Sequence, residues 1–206
     1  MGSKKFKLAV LVSGQGTNLQ ALIDQIEQGA LAAEIAIVVS NVKDAFALER
    51  AKNHGIKTVF LDPKSFANKK EFDGALIDRL QDEAVDLICL AGFMRILGKA
   101  FINRFASKVI NIHPSLLPAF PGLHPQRQAL EYGVKFSGCT VHFVDEGVDS
   151  GPIILQSVVP LYDSDDEETL SRRILEQEHI IYPRAVQLMA ENRLIISARK
   201  ITQKKN

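Results

Sequence analysis

Apolar residues fall in short runs along this chain, separated by stretches with helical spacing. Phe6–Val12 is one such run, broken only by Lys7; Ser13-Gly14-Gln15-Gly16 follows, and Leu19, Leu22, Ile23 and Ile26 then recur at helical intervals. The pattern predicts a strand, a tight loop and a helix. It repeats as a strand at 35–39, a helix at 45–53 ended near Gly55, and a strand at 58–61. A further helix is expected at 69–81, where Phe72, Leu76 and Leu80 lie four apart, and a strand at 85–90. Strands alternating with helices call for right-handed crossovers and a parallel sheet covered on both faces.

A buried strand at 108–112 continues the series and ends where Asn111 and His113 appear. In open parallel sheets ligands bind beyond the carboxyl ends of the strands, so the stretches 14–18, 92–97 and 111–113 are expected on one edge. After a helix near 124–132, the pattern changes to two strands, 138–144 and 152–159, joined by the turn-rich 145–151. This hairpin makes the sheet mixed. A long last helix should begin near Ser164, which with Glu167 matches a capping box, and Pro183 should kink or end it. The expected fold is α/β: a Rossmann-like, mostly parallel central sheet with helices on both faces, mixed in its C-terminal half. We read 1–206 as one domain, with lobes at about 6–110 and 111–198 and a tail at 199–206.

Composition changes this picture little but excludes several functions. Among 206 residues, 25 Lys and Arg balance 24 Asp and Glu, so the net charge of +1 offers no general attraction to nucleic acid or an acidic membrane. Cys89 and Cys139 lie inside apolar runs, as reduced core residues of a cytoplasmic protein do. The start is too short and polar for a signal peptide, and no apolar run approaches the roughly 18 residues of a membrane span. Basic residues at 199–200 and 204–205 read as a solvated tail.

The candidate chemistry sits between Asn111 and Asp149. Asn111 brings an amide donor suited to an oxyanion, His113 a group that exchanges protons near neutral pH, and Asp149 an anion able to stabilise an imidazolium. In a strand, residues 111 and 113 face the same side, although spacing alone does not pair Asp149 with them. There is no Gly-x-Ser-x-Gly elbow and no candidate catalytic cysteine, which points to a nucleophile supplied by the substrate. Gly14-Gln15-Gly16-Thr17-Asn18 offers backbone N–H groups at a helix start. It lacks the third glycine and acidic residue of a dinucleotide fingerprint and the lysine of a P-loop, so a plain strand–helix turn is the alternative. His54, His124, His142 and His179 show no metal-ligand spacing, and no metal is expected. Taken locally, 94–97 reads as a strand exit and Glu178 as part of a solvated helix face.

Taken in order, Ser13-Gly-Gln-Gly-Thr-Asn18, Ala91-Gly-Phe-Met-Arg-Ile-Leu97, Asn111-Ile-His-Pro-Ser-Leu-Leu-Pro118, Pro121-Gly-Leu-His124 and Val148-Asp-Ser-Gly-Pro152 resemble the phosphoribosylglycinamide formyltransferase family. The resemblance runs from about Lys7 to Ile196. It implies formyl transfer from 10-formyltetrahydrofolate, a cosubstrate, to glycinamide ribonucleotide, by a monomer or weak homodimer without metal, nucleic-acid or membrane partners. It further implies that Asn111, His113 and Asp149 are catalytic, that Gly16, Thr17, Asn18 and Glu178 hold the ribonucleotide, and that Lys69, Met94, Arg95, Ile96, Leu97 and Asn111 meet the folate. The second lobe is then the catalytic and folate-binding one. Lys69 stands where some relatives have Arg and would meet a folate carboxylate as a point charge. Asp149 is expected to raise the His113 pKa, so that a protonated ring joins Asn111 in stabilising the oxyanion. A formyltetrahydrofolate deformylase, a methionyl-tRNA formyltransferase and a non-catalytic nucleotide-binding module are the competing readings. The family's deformylases carry an added leading segment and its tRNA enzymes an added carboxy-terminal domain, which this sequence is not expected to have.

Overall fold

The computed structural model describes residues 5–204; the polar start at 1–4 and Lys205 of the basic ending lie outside the described residues. The chain divides into two compact units, 1–110 and 111–206. Its strands form a seven-stranded sheet in the order β3-β2-β1-β4-β5-β6-β7 and a separate two-stranded sheet, β8-β9. The fold is α/β, mostly parallel with an antiparallel portion.

In the first unit, β1 (Phe6–Val12) pairs in parallel with β2 (Ala33–Ser40) and β4 (Leu87–Leu90), and β2 with β3 (Thr58–Phe60). Leu8 to Val12 are all fully buried, as a central strand covered on both faces requires. The helices α1 (Thr17–Glu27), α2 (Phe46–Asn53) and α3 (Lys69–Asp82) contribute Leu19 and Leu22, Ala47 and Ala51, and Phe72, Leu76 and Leu80 to the core. A short helix, α4 (Lys99–Arg104), was not expected; its six residues are too few to show a period.

Strand β5 (Val109–His113) leads into the second unit. There α5 (Pro125–Tyr132) precedes an antiparallel pair, β6 (Phe136–Phe143) and β7 (Ile153–Pro160), on which α6 (Glu167–Ala190) packs. β6 is buried almost throughout, whereas β7, last in the sheet order, alternates between covered and open positions.

Two sequence expectations fail here and a third, that Pro183 kinks or ends α6, loses its second alternative. The cap of α6 is Asp166, not Ser164: its Oδ1 accepts the Thr169 N–H at 2.8 Å, and Thr169 Oγ1 accepts the Asp166 N–H at 2.9 Å. Asp165 is held outside the helix by two bonds from Arg173, at 2.7 and 2.8 Å, which delays the helix start. Pro183 does not end α6, which runs on to Ala190. Tyr182, Ala185 and Val186 around it are completely buried, and that packing offsets the roughly 3 kcal/mol that an interior proline costs. Finally, residues 200–203 of the expected tail form a strand: β9 (Lys200–Gln203) pairs with β8 (Leu194–Ser197) in a hairpin whose turn holds Ala198 at φ 51°. An alanine in a left-handed turn gives no sequence signal of the Asn-Gly kind.

Candidate active site

In the second unit, β5 presents Asn111 and His113 side by side, and the loop between β6 and β7 brings Asp149 to both. His113 Nδ1 lies 3.3 Å from Asp149 Oδ2, and Asn111 Nδ2 lies 3.5 Å from Asp149 Oδ1. Asp149 sits at φ 49°, in the left-handed region that Asp adopts more readily than most residues. Its loop is braced by Asp145, whose Oδ1 accepts from Gly147 N at 3.0 Å and Ser150 Oγ at 2.6 Å. Ser115 to Leu117 are bound to the sheet through Thr140, whose Oγ1 donates to Ser115 O at 2.7 Å and accepts from Leu117 N at 3.0 Å. The Ser-Leu-Leu-Pro motif therefore has a scaffold role: it fixes the chain leaving His113.

Three further groups join the cluster. His142 Nδ1 donates to Phe143 O at 2.8 Å, which leaves Nε2 facing Asn111 Nδ2 at 3.3 Å and Asp149 Oδ1 at 3.6 Å. Gly122 N–H donates to Asp149 Oδ2 at 2.8 Å, and the Phe120 carbonyl meets His113 Nε2 at 2.9 Å. Sequence reasoning missed all three. His142 carried one usable signal, since on β6 it shares a face with Thr140; the two backbone groups carried none.

Both nitrogens of His113 face oxygen acceptors, an arrangement that only the doubly protonated ring satisfies completely. Burial acts the other way and dominates. The His113 pKa lies below its ordinary 6.5 because the ring is desolvated, although the Phe120 carbonyl and the Asp149 charge each pull it upward and His142 adds to the lowering. This corrects the expected direction: Asp149 does favour the charged ring, but the net shift is downward. For Asp149, burial would raise the pKa; His142, the Gly122 N–H and His113 together outweigh it and hold the carboxyl below its usual range. At neutral pH the pair is thus a neutral imidazole beside a carboxylate, with acceptors already placed for the imidazolium. For His113 to exchange a proton with a reactant, one nitrogen must trade its acceptor for the reactant or a water.

Glu178, on α6, is 6 % exposed rather than on a solvated face. Its charge acts on Cys139 of β6, whose thiol is pushed up to about 12, first by burial and then by that carboxylate.

In the first unit, the loop after β1 opens α1. Gly16 is the N-cap residue at φ 71°, and no side chain caps the helix. Thr17 is half-buried and Asn18 is buried. A Cβ on Gly16 would lie 2.5 Å from Ala47 Cβ and 2.8 Å from Ala47 Cα, so both conformation and space demand glycine. Gly16→Ala is expected to cost about 2–4 kcal/mol, from the left-handed backbone and the overlap. Calorimetry should show a melting point lower by several degrees; a loss below about 0.5 kcal/mol would contradict this reading.

The loop after β4 lies against the same region, its Met94 N–H donating to Ser13 Oγ at 2.8 Å. Met94 and Ile96 are 70 % and 65 % exposed, while Leu97 is buried. Arg95 stacks over Phe72 at 4.5 Å, and Gly98 N–H donates to Asp73 Oδ2 at 2.9 Å. Lys69, exposed at the start of α3, acts on Asp73 together with Arg95, so α3 and this loop share one cationic patch. Asp73 itself has a raised pKa, because burial outweighs the Gly98 N–H and the two cations. The structure thus gathers Lys69 with residues 94–97 in one unit, and Asn111 with His113 and Asp149 in the other.

Residues 6–186 match the formyl transferase family. The chain is 50% identical over 188 residues to the phosphoribosylglycinamide formyltransferase of Haemophilus influenzae, covering 91% of this chain and 89% of that protein. It is 47% identical over 199 residues to the trifunctional purine biosynthetic protein adenosine-3 of Drosophila melanogaster; these residues are 96% of this chain but 15% of that much longer relative. A crystal structure of glycinamide ribonucleotide transformylase 1 from Symbiobacterium toebii superposes with a TM-score of 0.97 at 50% identity, covering 99% of this chain and 96% of the other. The sequence motifs, the fold and these likenesses agree, and the chain belongs to the formyl transferase family.

Proposed function

We propose that the chain transfers the formyl group of 10-formyltetrahydrofolate to the amine of glycinamide ribonucleotide, giving the formamide and tetrahydrofolate as a step of purine synthesis. The observation that carries this is the meeting of Asn111, His113 and Asp149 within hydrogen-bonding range, in a chain half identical to a relative named for that reaction. No enzyme nucleophile is needed. The substrate amine attacks the formyl carbon, the new C–N bond forms, and the carbonyl oxygen becomes an oxyanion that Asn111 meets with an amide proton. Collapse breaks the bond to the folate nitrogen. The proton lost by the amine passes through His113, neutral at the outset, to that departing nitrogen. Asp149 stabilises the ring while it is charged, with Nε2 released from the Phe120 carbonyl to reach the reactants, so Asp149 tunes and does not attack.

Gly16, Thr17 and Asn18, with the start of α1 that no side chain caps, receive the phosphoribosyl end, where the helix dipole and the N–H groups of the first turn favour an anion. Glu178 holds the same substrate. Met94 to Leu97 line the folate pocket and Lys69 meets the folate's glutamate carboxylate. The chain works as one formyltransferase domain, in the cytoplasm, as a monomer or weak homodimer.

Initial rates with and without the ribonucleotide test the proposal. Tetrahydrofolate should appear only when the acceptor is present; equal rates without it indicate the deformylase, and no turnover in either case rejects catalysis on this folate.

A further inference from the structure

The loop that opens α1 is held in one orientation by contacts from α2. Ala47 N–H donates to Gly14 O at 3.0 Å, and Arg50 Nε donates to Gln15 O at 2.9 Å. A trans peptide is planar, with its C=O and N–H opposed, so drawing the carbonyls of 14 and 15 toward α2 turns the N–H groups of Gln15 and Gly16 the other way. They then point away from α2, successive donors preceding the uncapped helix start.

Arg50 is itself fixed from three sides. Besides Gln15 O, its Nη1 donates to Gln20 Oε1 at 3.2 Å, and its guanidinium lies over the Phe46 ring at 4.8 Å. Gln20 is oriented in turn: its Nε2 donates to Asp24 Oδ1 at 2.8 Å and meets His54 Nε2 at 3.2 Å, while His54 Nδ1 meets Glu27 at 2.6 Å. With Nε2 as acceptor and Nδ1 as donor, every contact in this chain has one donor and one acceptor. Such a network holds the guanidinium in place before any ligand arrives.

We propose that Arg50 is a positioning residue for the phosphate of the acceptor: it sets the Gln15–Gly16 peptide so that its N–H faces the anion, and its charge offsets the cost of gathering a phosphate there. This rests on the ribonucleotide reading of the loop given above. The role is specific to the phosphorylated end, so it separates from general stability in a comparison of two acceptors.

The test measures kcat and KM of the full chain for glycinamide ribonucleotide and for its dephosphorylated nucleoside. Arg50→Ala should raise KM for the ribonucleotide about tenfold, the effect of losing a charged hydrogen bond, with kcat within about twofold and kcat/KM for the nucleoside unchanged. Equal losses on both acceptors, or an unchanged KM for the ribonucleotide, would overturn the proposal. Should Arg50→Ala not fold, Arg50→Lys decides: a lysine presents one ammonium in place of the planar fork that now donates through Nε to Gln15 O and through Nη1 to Gln20 Oε1, so discrimination between the acceptors should fall several-fold, and wild-type discrimination would overturn the role. Wild-type protein inactive on the ribonucleotide would count against the proposed function and, with it, this role. Wild-type activity with an insensitive Arg50→Ala would count against this role alone.

Discussion

Replacing Asn111 by alanine is expected to slow acceptor-dependent formyl transfer about 10²–10³-fold while the fold survives, the usual cost of removing one preorganised oxyanion donor. Asn111 is half-buried in the middle of β5, and its amide contacts Asp149 and His142 at 3.5 and 3.3 Å, distances at which little stability is stored. The carboxylate keeps its 2.8 Å bond from the Gly122 N–H, and His113 keeps its carbonyl partner, so the truncation leaves no buried charge unpaired. Single-turnover rates at saturating substrates, set beside melting temperatures, check this. A rate within threefold of wild type would remove Asn111 from the chemistry.

Asp149→Asn should have an effect of similar or greater size, about 10²–10⁴-fold in rate, by analogy with the loss of the anionic partner in other His–Asp pairs. Asparagine tolerates the left-handed backbone at φ 49° and can keep its oxygen on the Gly122 N–H, so the backbone is preserved while the charge and one acceptor are lost. The variant also carries a signed pH prediction. In wild type, burial holds the His113 pKa below 6.5, so the neutral base persists above that value and kcat/KM falls only on the more acid side. Asp149 pulls this pKa upward, and removing its charge should lower it further. The acid limb should therefore move to still lower pH as the maximal rate drops. A limb displaced to higher pH would mean that the carboxylate does not favour the imidazolium.

The hydrophobic periods made most of the first unit legible. β1 reads as a solid apolar run because it is covered on both faces, and α3 shows Phe72, Leu76 and Leu80 four apart because one stripe is buried. Elements governed by packing or turn geometry were not legible: α6 continues through Pro183 because Tyr182, Ala185 and Val186 pack around it, and the β8–β9 turn uses an alanine. In the site, the shared face of Asn111 and His113 followed from strand alternation. The partnership with Asp149 did not, since a loop of nine residues between β6 and β7 can end its turn in many ways. Burial of His113 reversed the expected direction of its shift, a cause that no local pattern reveals. The backbone partners Phe120 and Gly122 act through atoms that every residue has, so their identity in the sequence is silent.

The fate of the formyl carbon tests the central claim most directly. With 10-formyltetrahydrofolate labelled at that carbon and glycinamide ribonucleotide present, carbon NMR should show the label arriving as the acceptor's formamide, one for each tetrahydrofolate released. Label appearing instead as free formate at the same rate, whether or not the acceptor is present, would contradict the assignment.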